Sequence, residues 1–136
     1  MPMVRVRGRS MLPALRSSEW LWVGRRRPFR RGMIVLLKRD DGTQYLKRLI
    51  GLPGESIEIR GGRLRIDGRL LPEPYVPETA YVQPQTDRTL QLPPGMVFVL
   101  GDSRDDSLDS RRWGPVPVKA IVGVAAWRLW PPAPLA

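Results

Sequence analysis

The fold is decided by residues 33–71, which read MIVLLKRDDGTQYLKRLIGLPGESIEIRGGRLRIDGRLL. After an opening run that is apolar throughout, as in a strand buried on both faces, apolar and polar residues alternate with the two-residue period of a β-strand. Turn pairs such as Asp41-Gly42 and Asp67-Gly68 separate the runs, as they do in hairpins. Similar short runs flank this stretch, so strands are predicted over residues 4–7, 19–23, 33–37, 44–50, 56–60, 63–66, 69–71, 96–100 and 119–129. We therefore predict an all-β fold with mostly antiparallel strands and little helix.

The length of the chain, 136 residues, predicts a single domain over residues 1–136. With 42% hydrophobic and 26% charged residues the composition is that of a globular domain. Residues 72–94 are rich in proline, which removes backbone donors from a sheet, so this segment is predicted to be an extended surface excursion.

The absence of cysteine and histidine restricts the chemistry that the chain can perform. It excludes disulfides, thiolate and imidazole metal sites, cysteine nucleophiles and every triad built on a histidine base. We expect no metal and no cofactor. A hydrolase of this composition needs a carboxylate, a lysine, a tyrosine or a terminal amine as its base.

The net charge is +10, from 23 Lys and Arg against 13 Asp and Glu, and nearly all of the cations are arginine. A charge of this size on a small domain attracts anionic surfaces, either lipid head groups or nucleic acid. No apolar stretch reaches the roughly 18–20 residues that cross a bilayer, and no signal peptide is recognisable. As written, the chain is expected to span no membrane.

Lys47 is the first candidate for catalysis. In residues 45–50, YLKRLI, the strand period puts Lys47 on one face and Arg48 on the other, so one of the two cations points toward an apolar face. A lysine in a low dielectric loses its proton far below the reference pKa of about 10.4 and can act as a general base. The alternative is a lysine whose stem covers the sheet while its amine reaches solvent.

Ser10 is the second candidate, in the sequence GRSMLPAL of residues 8–15. A strand ends near Gly8, and Pro13 excludes a sheet interior soon after, so Ser10 lies where a strand passes into a turn. There a hydroxyl and the backbone N–H of the same residue can both face a cleft, as a serine nucleophile with an oxyanion hole requires. The alternative is a turn serine that bonds its own backbone.

The third candidate segment is the polar loop of residues 101–114, GDSRDDSLDSRRWG. Its four aspartates lack the spacing of a calcium loop, and its three arginines would repel a cation. An internally salt-bridged loop is the better interpretation. Ser103 or Ser107 then offers a hydroxyl to a buried amine.

These segments, in this order, closely resemble the conserved boxes of bacterial type I signal peptidases. The resemblance rests on Ser10-Met11-x-Pro13-x-Leu15, on YLKRLIGLPG at 45–54, on the loop followed by Pro-Val-Pro at 115–117, and on the closing residues 121–131. It extends from about Val4 to Pro131, nearly the whole chain.

The resemblance implies a mostly β fold with a Ser/Lys dyad that cleaves signal peptides from exported preproteins. Ser10 is then the nucleophile and Lys47 its general base. Ser107 corresponds to the serine that orients the lysine amine, and Asp109 and Arg111 to an ion pair beneath the site. The backbone N–H of Ser10 is expected to bind the oxyanion.

The resemblance also implies the substrate and its location. Five residues correspond to the walls of two shallow apolar pockets that accept alanine at the −1 and −3 positions: Met11, Leu15, Tyr45, Leu46 and Leu100. The substrate is expected to bind as an added β-strand. The implied partners are preprotein signal peptides and an anionic membrane surface, met at the outer face of the bacterial cytoplasmic membrane, with no nucleic acid. The basic residues 25–31 and four tryptophans are expected to meet the lipid: Trp20, Trp22, Trp127 and Trp130.

Several departures from the family leave other functions open. Ala14, Met33 and Glu55 replace residues that are more usual there, and Gly8 supplies no side-chain donor to the oxyanion. No membrane helix precedes Val4, so either an anchor is missing from this chain or the protein matures one specific precursor. Further alternatives are an inactive relative, a self-cleaving repressor-type protease, and a nucleic-acid-binding β module suggested by the charge.

Overall fold

The computed structural model describes residues 3–25, 28–81 and 86–135. Its larger sheet contains eight strands: β1 (Met3–Arg5), β2 (Trp20–Gly24), β3 (Ile34–Lys38), β4 (Gln44–Gly51), β9 (Met96–Leu100), β10 (Val116–Pro117), β11 (Ile121–Leu129) and β12 (Pro132–Pro134). The smaller sheet contains β5 (Ser56–Arg60), β6 (Arg63–Ile66), β7 (Arg69–Leu70) and β8 (Arg88–Gln91). All pairings among these strands are antiparallel, which confirms the predicted all-β fold.

The larger sheet is ordered β1-β2-β11-β3-β4-β9-β10, with β12 paired to β11. Its centre is β3, whose apolar run was predicted to be buried on both faces, and this is confirmed. Ile34 and Leu36 pack into one hydrophobic cluster, while Val35 and Leu37 pack into another on the opposite face. Because successive side chains of a strand alternate between faces, a strand covered on both sides has to be apolar throughout.

The smaller sheet is ordered β7-β6-β5-β8. Its inward positions are alternate apolar residues of β5 and β6, while the outward positions are polar or charged. The three hairpin strands β5 to β7 begin and end within one residue of the predicted bounds. Strand β8 was not predicted, because prolines flank it on both sides and its only apolar residue, Leu90, is half-buried.

The two sheets share a hydrophobic cluster. Ile50, Phe98 and Leu100 from the larger sheet pack against apolar side chains of β5 and β6, together with Leu92. At Gly51 the packing leaves no room for a side chain, since a Cβ would lie 2.3 Å from the Cδ1 of Ile57. Strand β4 therefore joins the two sheets.

Helix is limited to α1 (Ser110–Trp113) and to 3-10 turns at Glu78–Tyr81 and Val118–Ala120. Within the described ranges, none of these is long and apolar enough to cross a bilayer. Both α1 and the 78–81 turn lie beside the loop that follows β9.

Candidate active site

Ser10 lies in the turn that follows β1, and it is half-buried. The turn begins at Gly8, whose φ of +81° is a backbone conformation that favours glycine. It is anchored in the core by Met11 and Leu15, both buried. Across the part of the chain that the structure describes, neither the N–H nor the hydroxyl of Ser10 has a hydrogen-bond partner. Both groups are thus available to a substrate.

Lys47 lies in β4 opposite Val35 of β3, and only 2% of its surface is exposed. Its Nζ donates a hydrogen bond to the Oγ of Ser107 at 3.0 Å and lies 5.7 Å from the centre of the Tyr45 ring. Burial lowers the pKa of Lys47 from 10.5 to about 8, although the nearby Asp109 carboxylate opposes this shift. The amine is thereby brought close to the pKa that suits a general base at neutral pH.

Strand β4 corrects one expectation. One of its two cations was expected to point toward an apolar face, but both of them are buried. Arg48 lies on the opposite face from Lys47 and is 4% exposed. Its guanidinium bonds the Asp102 carboxylate with Nη2–Oδ2 at 2.5 Å and Nε–Oδ1 at 3.2 Å. A guanidinium stays protonated, so its burial requires such a partner, whereas a lysine can be buried by losing its proton.

Ser107 connects Lys47 to a buried ion pair. Its hydroxyl donates to Asp109 Oδ2 at 2.9 Å and accepts from the lysine amine. Asp109 also accepts from Arg111, with Nη2–Oδ2 at 2.9 Å and Nε–Oδ1 at 3.0 Å, and from the N–H of Gly101. Burial alone would raise the pKa of Asp109, but these hydrogen bonds and the Arg111 charge hold it below its usual range.

Gly101 is the point where the loop meets the Ser10 turn. A Cβ at this position would lie 2.0 Å from the Oγ of Ser107 and 2.7 Å from the carbonyl oxygen of Ser10, so only glycine fits. Two residues later, the N–H of Ser103 donates to that same carbonyl at 2.9 Å. Ser107 is therefore bonded to Lys47 and lies close to the backbone of Ser10 at Gly101, although the three residues are far apart in sequence.

A cleft of about 440 Å³ opens beside Ser10, between residues 4–11 and the β3–β4 hairpin. Three of the predicted substrate-binding residues line it: Met11, Tyr45 and Leu46. Two others, Leu15 and Leu100, are 0% and 1% exposed in the core clusters and do not line this cleft. These two residues were assigned to the pockets from the resemblance to the family, which does not show which side chains reach a surface in this chain.

The loop of residues 101–114 was expected to be held by internal salt bridges, and this is confirmed only in part. Asp109 and Arg111 pair within it, but Asp102 pairs with Arg48 in β4 and Arg104 with Glu73 in the proline-rich segment. These external partners were missed, because they lie 54 and 31 positions away and no local pattern indicates them.

Comparison with known proteins identifies the family of the chain. The family model described as signal peptidase, peptidase S26, matches residues 1–130. The chain is 36% identical to signal peptidase I of Bacillus caldolyticus over 93% of its length and 78% of the relative's. It is 39% identical to signal peptidase I P of Bacillus subtilis subsp. natto over 88% of its length and 71% of the relative's.

A solved structure is similar as well. The crystal structure of a signal peptidase I from Enterococcus faecalis V583 superimposes with a TM-score of 0.64 at 36% identity. The match covers 74% of this chain and 98% of that one.

Proposed function

The chain belongs to the signal peptidase family, peptidase S26, and from that premise we propose that it cleaves signal peptides from exported preproteins by a Ser10/Lys47 dyad. The observation that carries the proposal is the buried Lys47 amine, which donates to the Ser107 hydroxyl where that hydroxyl and the Ser10 carbonyl meet at Gly101. Among the described residues, the hydroxyl and the N–H of Ser10 have no hydrogen-bond partner. The chain has neither histidine nor cysteine, and a lysine of lowered pKa is suited to act as the base.

The reaction begins when the neutral Lys47 amine takes the Ser10 proton while the Oγ attacks the scissile carbonyl carbon. The negative charge that develops on the carbonyl oxygen is stabilised by the N–H of Ser10. The lysine ammonium then protonates the departing amine of the mature protein, leaving the signal peptide as an ester on Ser10. In the second half Lys47 deprotonates a water, which hydrolyses the ester and restores the serine.

Ser107, Asp109 and Arg111 orient the base in this proposal. Because the Ser107 hydroxyl donates to Asp109, its lone pairs face Lys47 and accept one amine hydrogen. The lysine lone pair is then free to point elsewhere, toward the serine proton. Arg111 neutralises Asp109, so that its charge does not hold Lys47 in the protonated form.

We propose that the cleft beside Ser10 selects small side chains at the −1 and −3 positions, as in an Ala-x-Ala site. Met11, Tyr45 and Leu46 provide its apolar walls, and a bulky substrate residue would collide with them. The extended substrate fits beside the strand-like residues 4–8 as an added strand. Contacts of Leu15 and Leu100 with substrate stay a prediction that the cleft lining does not support.

The test is cleavage of a synthetic signal peptide with an Ala-x-Ala site, in detergent, followed from pH 6 to pH 10. The wild-type rate should rise through a pKa of about 8 as Lys47 loses its proton. Ser10→Ala and Lys47→Ala should lower kcat by about 10²-fold to 10⁴-fold. Lys119→Ala, which removes an exposed lysine, is the matched control and should behave as the wild type. Full activity in Lys47→Ala would contradict the dyad. A folded wild type that cleaves only one natural precursor would restrict the substrate range to that precursor.

We propose further that the protein works at an anionic membrane, at the outer face of the bacterial cytoplasmic membrane. Trp22 lies in register with Met3 on β1 and with Trp127 on β11, and all three are exposed. Trp20 is exposed too, and Trp130 is 78% exposed. Such a row of apolar side chains on a cationic domain suits a lipid interface.

The basic residues 25–31 support this surface less than expected. Arg26 and Arg27 lie outside the described residues, and the Arg31 guanidinium bonds the Glu55 carboxylate and the Ile50 carbonyl. Arg25 and Arg30 are exposed.

A further inference from the structure

The proline-rich segment carries an acid that reaches the interior of the molecule. Glu73 and Arg104 form an ion pair in which each side chain is 1% exposed. A second bond joins Arg104 Nη1 to Glu73 Oε1 at 3.2 Å, and the Tyr81 hydroxyl donates to that same oxygen at 2.8 Å. A pair this completely removed from water requires both partners, since either one alone would leave an uncompensated buried charge.

Arg104 transmits the position of Glu73 to the active-site loop. Its Nε donates to the carbonyl oxygen of Gly101 at 2.8 Å, while its own carbonyl accepts from Arg111 Nη1 at 2.8 Å. Arg104 is therefore bonded at three places, to the proline-rich segment, to Gly101 and to the arginine that pairs with Asp109.

Gly101 has almost no freedom to move alone. Its N–H is bonded to Asp109, and its Cα lies so close to Ser107 and to the Ser10 carbonyl that a methyl group would not fit. If the Arg104 guanidinium turned toward solvent for lack of a partner, the Gly101 carbonyl would lose its donor. The loop would then shift at the residue that contacts both Ser107 and Ser10.

We propose that Glu73 is a positioning residue for the cleavage reaction. By holding Arg104 it fixes Gly101, and Gly101 in turn fixes both the Ser107 hydroxyl, which contacts Lys47, and the carbonyl of Ser10. The inference rests on the proposed dyad and adds to it a residue outside the three family motifs. It gives the proline-rich segment a function, that of bracing the catalytic loop from outside.

The test compares Glu73→Gln with Glu78→Gln. Glu78 belongs to the same segment, but its side chain is 80% exposed and it pairs with Arg63 at the surface. A third variant, Glu73→Leu with Arg104→Met, replaces the buried pair by apolar side chains. Such replacements keep or increase stability, but this one also removes the donor to Gly101. It therefore separates the stability of the fold from the position of the loop.

The measurements are kcat and KM on the signal-peptide substrate, together with NMR titration of protein labelled at lysine Cε. The lysines are Lys38, Lys47 and Lys119, of which only Lys47 is buried, so the other two are internal references. Glu73→Gln should lower kcat about tenfold to a hundredfold with little change in KM. In the same variant the shifted loop should admit water around the Lys47 amine, which faces Asp109 and Arg111. This hydration should raise the pKa of Lys47 from about 8 toward 10.5. Glu78→Gln should change none of these.

The double variant should melt no lower than Glu73→Gln and yet stay slow, which a purely structural role would not predict. The proposal is overturned if the double variant recovers wild-type kcat, or if Glu73→Gln keeps both the wild-type kcat and the Lys47 titration. Ser10→Ala, run alongside, separates the two proposals. If Ser10→Ala still cleaves, the dyad fails and the role of Glu73 in it fails too. If Ser10→Ala is inactive while Glu73→Gln matches the wild type, the dyad stands and the role of Glu73 fails.

Discussion

At the scale of single residues, the molecule combines two ways of burying a cation in consecutive positions of one strand. Arg48 keeps its charge and is matched by Asp102, whereas the Lys47 amine donates to a hydroxyl and the carboxylate near it is already paired with Arg111. A lysine so placed lowers its free energy by releasing its proton. The same desolvation that lowers the pKa of Lys47 therefore makes its charged form a cost to the folded state.

This cost predicts that Lys47→Met stabilises the protein. At pH 7 the folded wild type holds a buried ammonium, so the free energy of unfolding of the variant should be higher by roughly 1–3 kcal/mol. Between pH 8 and 10.5 the unfolded chain binds the proton that the folded chain releases, so wild-type stability should rise with pH relative to the variant. Denaturant unfolding at several pH values measures both effects.

Lys38→Met is the matched control, because Lys38 is exposed. Its stability should follow the wild type across this range. Taking the difference between variant and wild type also removes the contribution of Tyr75, whose pKa burial raises to about 12. A Lys47→Met variant less stable than the wild type at pH 7, with no pH-dependent difference, would contradict the prediction.

At the scale of elements, β4 performs two tasks. Its middle presents Lys47 to the loop, and its end, Gly51, lies against the side chains of Ile57 and Leu92. The packing of the smaller sheet therefore constrains the strand that carries Lys47.

Gly51→Ala should be destabilising by about 1–3 kcal/mol, as expected for overpacking of a core. The added methyl group would lie 2.3 Å from Ile57 Cδ1 and 2.7 Å from Leu92 Cδ1. Ile57→Val deletes the nearer of these two atoms, so the double variant should lose less stability than the sum of the single variants. Thermal or denaturant unfolding gives the coupling.

Ile59→Val, the same change on the same strand, provides the control and should add to Gly51→Ala without rescue. Equal coupling for both pairs would show that the strand as a whole relaxes and that the contact at Gly51 is not specific.

At the scale of the whole molecule, the exposed tryptophans lie on the neighbouring strands β2 and β11 of the larger sheet and in the turn after β11. The adjacent side chains of β2, Leu21 and Val23, point into the core, so the period of the strand leaves Trp20 and Trp22 outside. A face of this kind is costly in water and is compensated when it meets a lipid interface.

Vesicle sedimentation tests the membrane surface. Binding should be strong to vesicles with anionic lipid, weaker to neutral ones, and should fall as salt is raised. Trp22→Ser with Trp127→Ser should weaken binding about tenfold or more, since two large apolar surfaces no longer enter the interface. Leu70→Ser, an exposed apolar residue on the smaller sheet, should have no effect. Equal binding to neutral and anionic vesicles would contradict the electrostatic part, and salt-sensitive binding to single-stranded DNA instead would favour the nucleic-acid alternative.

The sequence alone was enough to predict nine of the twelve strands that the structure describes, because a half-buried strand shows its two-residue period locally. Hairpin turns likewise depend on adjacent residues such as Asp67 and Gly68. The candidate site was predictable in part. Without histidine or cysteine the base had to be a carboxylate, a lysine, a tyrosine or a terminal amine, and the resemblance to signal peptidases then selected Ser10 and Lys47. Strand β8 was missed, since its pairing with β5 supplies what its own residues do not indicate.

Only the tertiary structure decided what covers each face. The strand period separates Lys47 from Arg48, but it does not show that both faces are closed, nor that Asp102 lies against Arg48. Contacts between residues far apart in sequence, such as Glu73 with Arg104, depend on how the sheets pack. The same packing placed Leu15 and Leu100 in the core and left Trp22 outside. Local sequence determines which side chains share a face, whereas the environment of that face comes from distant parts of the chain.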